Sequence, residues 1–417
     1  MDANMKAAGH DTASDARLHE RPSAYAWKVL AGSAIGYAMD GFDLLILGFM
    51  LPAIGLDLHL STQQAGALVT WTLIGAVGGG ILFGALSDRF GRVRVLTWTI
   101  VLFALFTGLC AFAKGFWDLL TYRTIAGIGL GGEFGIGMAL AAEAWPASLR
   151  ARCTSYVALG WQAGVLAASL LTPVLLPRIG WRGMFLVGVI PALVAWFVRN
   201  RLHEPEVFVR AASTAKKPNA FKLLVADART ARTSLGVVIL CSVQNFGYYG
   251  IMIWLPTYLA KTLGFGLTKS ALWTSVTIFG MMIGVYIFGH LADRLGRKPT
   301  FVLFQAGAVA MVLTYSRLTD PGTMLWAGAF MGMFVNGMIG GYGALIAEAY
   351  PTVARATAQN VLFNIGRAVG GFGPIAVGSI AAAWSLQVAI ALLACIYVID
   401  IIATVFLIPE LKGAELK

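Results

Sequence analysis

Charge is scarce in this chain: Asp, Glu, Lys and Arg make up only 12% of its 417 residues, about half the share found in soluble domains. With 58% hydrophobic residues, that shortage excludes a soluble globular fold, because no water-facing surface can be assembled around so large an apolar fraction. Cysteine is sparse too. Cys110, Cys153, Cys241 and Cys395 lie far apart and form no CxxC pair, which argues against a redox couple or thiolate metal centre and leaves them as small buried hydrophobes. The five histidines are scattered, so neither a metal site nor a metal cofactor is expected. No P-loop GxxxxGK(S/T) is present, so the chain does not drive its own work by ATP hydrolysis. Without a GxSxG, an HExxH or any similar constellation, no catalytic residue is assigned and an enzyme is not expected. Ten-residue segments of alternating polarity are missing as well, which excludes a membrane β-barrel.

What the chain does have is a succession of apolar runs. Residues 1–24 are polar with no apolar leader segment, and read as a short soluble tail. From Trp27 onward twelve runs recur, at about 27–52, 65–86, 93–113, 117–141, 154–177, 183–199, 234–260, 270–291, 299–316, 323–347, 357–383 and 386–408, each long enough to cross a bilayer as a helix. The implied fold is all-α and polytopic, with twelve transmembrane helices. The only long polar interruption, 200–233, divides a six-helix unit at 25–199 from another at 234–408, and 409–417 forms a C-terminal tail. With both termini cytoplasmic, 23 of the 31 Lys and Arg residues fall on the cytoplasmic side and 6 on the other, the bias that sets orientation in a membrane. The net charge of +11 is thereby accounted for by topology. It does not call for nucleic acid, and the expected surroundings are a lipid bilayer, with a bacterial inner membrane the expected location.

The two units repeat each other. Gly84-Ala-Leu-Ser-Asp88-Arg89-Phe-Gly91-Arg92 matches Gly289-His-Leu-Ala-Asp293-Arg294-Leu-Gly296-Arg297 at an offset of 205. Glu143-Ala-Trp-Pro146-Ala-Ser-Leu-Arg150 matches Glu348-Ala-Tyr-Pro351-Thr-Val-Ala-Arg355 at the same offset. Two motifs sharing one offset point to a duplicated six-helix unit, a parallel repeat of the kind found in transporters.

The GxLxDRxGR-type loop, its copy and the six-plus-six organisation resemble the major facilitator superfamily, from Trp27 to Pro409. Within it, Asp40-Gly41-Phe42-Asp43 in the first span resembles the DGxD of aromatic-acid/proton symporters. Gly131-Gly132-Glu133 in the fourth resembles the GGE of sialate, lactate and other metabolite/proton symporters. The resemblance implies two pseudo-symmetric bundles around a midplane cavity and proton-coupled uptake of a small organic acid, with the proton as coupling ion and no other cofactor. An aromatic acid, a muconate-like dicarboxylate, a lactate-like monocarboxylate or a sugar acid would serve as substrate, carried by a monomer. A drug/proton exporter is the alternative, but Gly160-Trp-Gln-Ala-Gly164 in span five lacks the Gly-Pro element typical of those proteins. A non-transporting membrane sensor is a further alternative, weakened by the shortness of both tails.

The repeated loops supply candidates for a gate: Asp88, Arg89, Arg92, Glu143 and Arg150 in the first unit, with Asp293, Arg294, Arg297, Glu348 and Arg355 in the second. Such charges can pair across helix ends when one side is shut and separate when it opens. Some of the arginines serve equally well as interfacial anchors.

Ionisable groups at membrane depth are costly, at roughly 2.5–3.5 kcal/mol each at the helix centre, and so mark function. Asp40 and Asp43 lie one turn apart on one face of span one, where their mutual repulsion favours one of them binding a proton. Glu133, among the glycines of span four, is the third proton-coupling candidate. Arg123 is either a structural partner for Asp43 or another acid, or a substrate ligand. Arg367, near the middle of span eleven and flanked by Asn364, has the forked donor that suits a carboxylate; its other reading is an internal pair with Asp40 or Glu133. Under the 205 offset Asp40 corresponds to Asn245, Asp43 to Tyr248 and Gln162 to Arg367. Asn245, Tyr248, Tyr249, Gln162, Tyr37 and Asn364 therefore join Arg367 and Arg123 as candidate substrate ligands, with Trp254 as packing or belt residue.

Overall fold

The computed structural model describes residues 22–199, 202–205, 208–209, 219–264 and 267–414. The N-terminal tail lies almost wholly outside the described residues, much of the central loop does too, and so does the side chain of Trp254. Among the described residues the chain is helical, with no strand.

The first three spans are Ala24–Asp57, Thr62–Phe90 and Arg92–Cys110. The fourth is Phe116–Gly131 continued by Glu133–Ala144, and the fifth and sixth run together as Arg150–Arg199, parting at Gly180, whose φ of 65° interrupts the helix. The second unit repeats the plan with Ala228–Leu263, Leu267–Leu295 and Arg297–Tyr315, then Pro321–Gly337 with Ile339–Ala349, Arg355–Gly370 with Gly373–Ala383, and Leu386–Leu407. Divided at Gly180, these make twelve spans. The ninth opens on two basic residues, Arg297 and Lys298.

Spans four, ten and eleven, which read as continuous in sequence, are each interrupted. The breaks fall at Gly132, at Met338 and at Gly371-Phe372, in glycine-rich stretches where the helix is weakest. Helix starts are specified locally. Ser61 and Gln64 form a reciprocal capping box at the second span, and Asp320 caps the tenth ahead of Pro321, both established stop–start signals. Bonds from the Thr323 hydroxyl and N–H to Asp320 hold that exposed carboxyl below its usual range.

Packing obeys the repeat. Span one lies on five as seven lies on eleven, and two lies on four as eight lies on ten. Gly91 and Gly296 take φ of 111° and 112°, a conformation that a side chain resists, and so turn span two into three and eight into nine. The second repeated motif folds alike in both halves, with 3-10 turns at Ala147–Leu149 and Thr352–Ala354. The halves meet where span two packs on eleven and span five on eight. Cys110, Cys153 and Cys241 are buried as expected, whereas Cys395 is exposed on the outer face of span twelve. In an apolar medium that exposure removes no stabilisation, because lipid solvates the thiol as well as a core would.

Candidate functional site

Between the halves lies a narrow cavity lined by Tyr37 and Trp161 from the first half and by Gln244, Asn245, Tyr248, Tyr249, Asn336, Ile339, Phe363 and Arg367 from the second. Arg367 dominates its chemistry. Glycines 366 and 370 carry this helix against span seven, where any added Cβ would meet Cys241 or Asn245 at 2.4 Å. The helix ends at Gly370, so Arg367 occupies its last turn, where the negative end of the backbone dipole favours a cation. Its Nε donates to the Tyr249 hydroxyl at 3.3 Å, and its guanidinium carbon lies 5.3 Å from the centre of the Trp161 ring, within cation–π range. Nη2 is buried and has no hydrogen-bond partner among the described residues. Asp40, buried one turn beyond Tyr37, belongs to the same electrostatic group as Tyr37 and Arg367.

Several expected ligands lie elsewhere. Arg123 does not line the cavity: its two terminal nitrogens donate to the two oxygens of Asp43 at 3.0 and 2.7 Å, with both side chains fully buried. That bidentate pair commits both residues to each other. It also removes the Asp40–Asp43 repulsion expected from spacing, because the charge on Asp43 is already neutralised. Asn364 is buried facing span two beside Gly80 and donates to the Asn360 carbonyl at 2.9 Å. Gln162 is buried outside the cavity lining, while its neighbour Trp161 faces in. Glu133 opens the second piece of span four and is buried, again outside the lining.

Sequence reasoning also missed residues. Gln244 and Asn336 line the cavity, and Gln244 Nε2 donates to Asn336 Oδ1 at 2.7 Å. The available signal was a lone Asn in the middle of an apolar span. Asp400, a buried acid in span twelve near Gln305 and Tyr397, was passed over too. Its helix is otherwise so apolar that hydropathy conceals it.

At the loop-bearing face two charge clusters bind the halves together. In one, Arg92 pairs with Asp88 at 2.6 Å and with Glu143 at 3.1 Å, and Arg355 of the other half pairs with Glu143 at 2.8 Å. Asp88 also accepts from the Thr357 N–H at 2.7 Å and its hydroxyl at 2.6 Å, capping span eleven from across the interface. The second cluster copies the first with the halves exchanged. Arg297 pairs with Asp293 at 2.9 Å and with Glu348 at 2.7 Å, and Arg150 reaches Glu348 at 3.0 Å. Asp293 accepts from the N–H groups of Ala151 and Arg152 at 3.1 Å. Arg89 and Arg294 are exposed and outside these clusters, because they point away from the interface at the same helix ends. Two acids not singled out in sequence complete the arrangement: Glu204 accepts from the N–H groups of Arg92 and Val93, and Glu410 from those of Arg297 and Lys298. Below the clusters, Phe134 stacks on Phe363 across the halves with ring centres 3.8 Å apart, which floors the cavity on that side. This face of the molecule is shut.

Neutralising one member should loosen the closure. Asp88→Asn weakens both the pair with Arg92 and the cap on span eleven, a change of about 1–3 kcal/mol when partly compensated. A cysteine introduced by Ala358→Cys, buried next to Thr357 on span eleven, should then react with a polar thiol reagent roughly tenfold faster or more. An unchanged labelling rate would remove Asp88 from the gate.

Twelve membrane helices in two related halves, with a charged cavity at their interface and one end latched, define a membrane carrier. The sequence profile of the Major Facilitator Superfamily matches residues 33–315 and 259–416, and the chain belongs to that superfamily of transporters. It is 72% identical to a Haemophilus influenzae protein named for metabolite transport, over 96% of this chain and 100% of that one. It is 32% identical to a 4-methylmuconolactone transporter of Cupriavidus pinatubonensis, covering 92% and 90% of the two chains. With the cis,cis-muconate transport protein of Acinetobacter baylyi it shares 29% identity over 91% and 94%. The fold resembles that of the proton:xylose symporter XylE, solved with 6-bromo-6-deoxy-D-glucose, with a TM-score of 0.79 and 20% identity over 95% and 98% of the chains.

Proposed function

We propose that this transporter takes up a small organic anion together with a proton, by alternating access, with the latched face toward the cytoplasm of a bacterial inner membrane. The observation that carries the reading is Arg367: a buried cation on the cavity wall whose Nη2 lacks a hydrogen-bond partner among the described residues. Isolated charge is costly at this depth, and a carboxylate satisfies it with two charge-assisted bonds. The aromatic walls from Trp161 and Phe363 suit a flat carbon skeleton.

Asp40 is the proposed proton site. Ionised, it holds Arg367 electrostatically; protonated, it releases the guanidinium to the anion. Each binding event thereby favours the other. A carboxylate moving with one proton carries no net charge, so it is not opposed by a membrane potential worth about 2.3 kcal/mol per charge per 100 mV. Asp40→Asn, which mimics the protonated state, should abolish accumulation driven by an acid-outside gradient while leaving exchange of labelled for unlabelled carboxylate in place. Full accumulation by that variant would rule out Asp40 as the proton site.

A further inference from the structure

Arg367 accounts for one end of a bound anion. The amide pair Gln244–Asn336 is a second fixed polar feature of the cavity, alongside Asn245, whose Nδ2 is already bonded to the Cys241 carbonyl, and the pair's chemistry narrows the substrate. Both side chains are about 1% exposed. Their mutual bond, 2.7 Å from Gln244 Nε2 to Asn336 Oδ1, uses one donor and one acceptor. It leaves Gln244 Oε1 and Asn336 Nδ2 buried without hydrogen-bond partners among the described residues. Turning both amides over gives the same inventory of one carbonyl oxygen and one NH2. The amide pair therefore leaves one acceptor and one donor unspent.

From this we infer that the carrier selects anions bearing, away from the carboxylate, a group that both donates and accepts a hydrogen bond, a hydroxyl above all. The inference rests on the carboxylate-at-Arg367 reading and refines it. A hydroxyl gives its proton to the amide oxygen and accepts from the amide NH2, leaving neither unpaired. An unsubstituted hydrocarbon end satisfies neither, and a buried polar group stranded in this way is expensive. A second carboxylate can accept from the NH2 but meets the amide oxygen as acceptor against acceptor. Sites built to bond a substrate hydroxyl discriminate strongly against the analogue lacking it. Tyr248 and Tyr249 do not provide this selection, because a phenol hydroxyl rotates to donate or accept as required.

The test is titration calorimetry on the full-length protein in lipid nanodiscs. Benzoate is compared with 2-, 3- and 4-hydroxybenzoate, propionate with lactate, and terephthalate serves as the dicarboxylate. The best hydroxylated member of a set should bind roughly 10- to 100-fold more tightly than its parent and than the dicarboxylate. Gln244→Leu and Asn336→Leu should collapse that ratio to within about threefold. Equal binding of hydroxylated and parent acids by the unaltered protein overturns the inference, whether or not the leucine variants fold, and so does tighter binding of the dicarboxylate. Equal binding that is nonetheless lost in Arg367→Lys would leave the carboxylate reading standing alone. If none of these acids binds, the carboxylate reading fails and the hydroxyl selection with it.

Discussion

Arg123→Leu should come close to preventing accumulation of folded protein. The substitution strands the Asp43 carboxylate, which is fully buried and otherwise held at 3.0 and 2.7 Å by that guanidinium. Removing one partner of a buried ion pair costs about 3–5 kcal/mol, a large part of the roughly 5–15 kcal/mol by which folded domains are stable. Asp43→Leu should be equally damaging, since it leaves a guanidinium that cannot lose its charge. The double variant Asp43→Leu/Arg123→Leu should recover most of the loss, because no uncompensated charge remains. Thermal unfolding of the four proteins in detergent decides the matter. Single variants as stable as the parent, or a double variant no better than either single, would show that the pair is not the strut the geometry makes it.

Arg367→Ala should have the opposite profile, with stability kept and binding lost. One of its terminal nitrogens lacks a partner among the described residues, so the fold should depend on this guanidinium less than on that of Arg123. Deleting it relieves an imperfectly satisfied charge. A carboxylate would lose its counter-ion, and truncating one side of a buried charged pair costs on the order of 2–5 kcal/mol, or roughly 30- to several-thousand-fold in affinity. Arg367→Lys keeps the charge but loses the fork and the stacking on Trp161, and should still weaken binding about tenfold or more. Normal carboxylate affinity in either variant would place the anion elsewhere.

The distance between these two arginines marks what sequence could and could not convey. Hydropathy, the charge bias and the 205-residue offset yield twelve helices in two halves, because spans and repeats are properties of composition and order. The charge clusters were legible for the same reason: Asp88, Arg92, Glu143 and their copies stand in paired motifs, and pairing across a pseudo-two-fold follows from duplication. Which buried charge touches which is not a property of order. Arg123 and Asp43 are 80 positions apart, and only the packing of span four against span one brings them together. Nor is the exact face of a helix: Gln162 stands next to Trp161 and Asn364 one turn before Arg367, yet only Trp161 and Arg367 line the cavity. Gln244 and Asn336 stayed hidden because a single amide in an apolar run reads as a tolerated impurity until its partner on another helix is seen.

The central claim is that an organic anion and a proton cross together, and it is tested most directly by watching the proton. Purified protein in liposomes loaded with a pH-sensitive dye, with potassium and valinomycin clamping the potential at zero, is presented with an external hydroxybenzoate. The account predicts acidification of the lumen that requires both protein and substrate, proceeds at a rate proportional to labelled substrate entry, and is lost in Asp40→Asn. Substrate entry without acidification beyond that of protein-free liposomes, or entry that generates a current when the clamp is released, would contradict it.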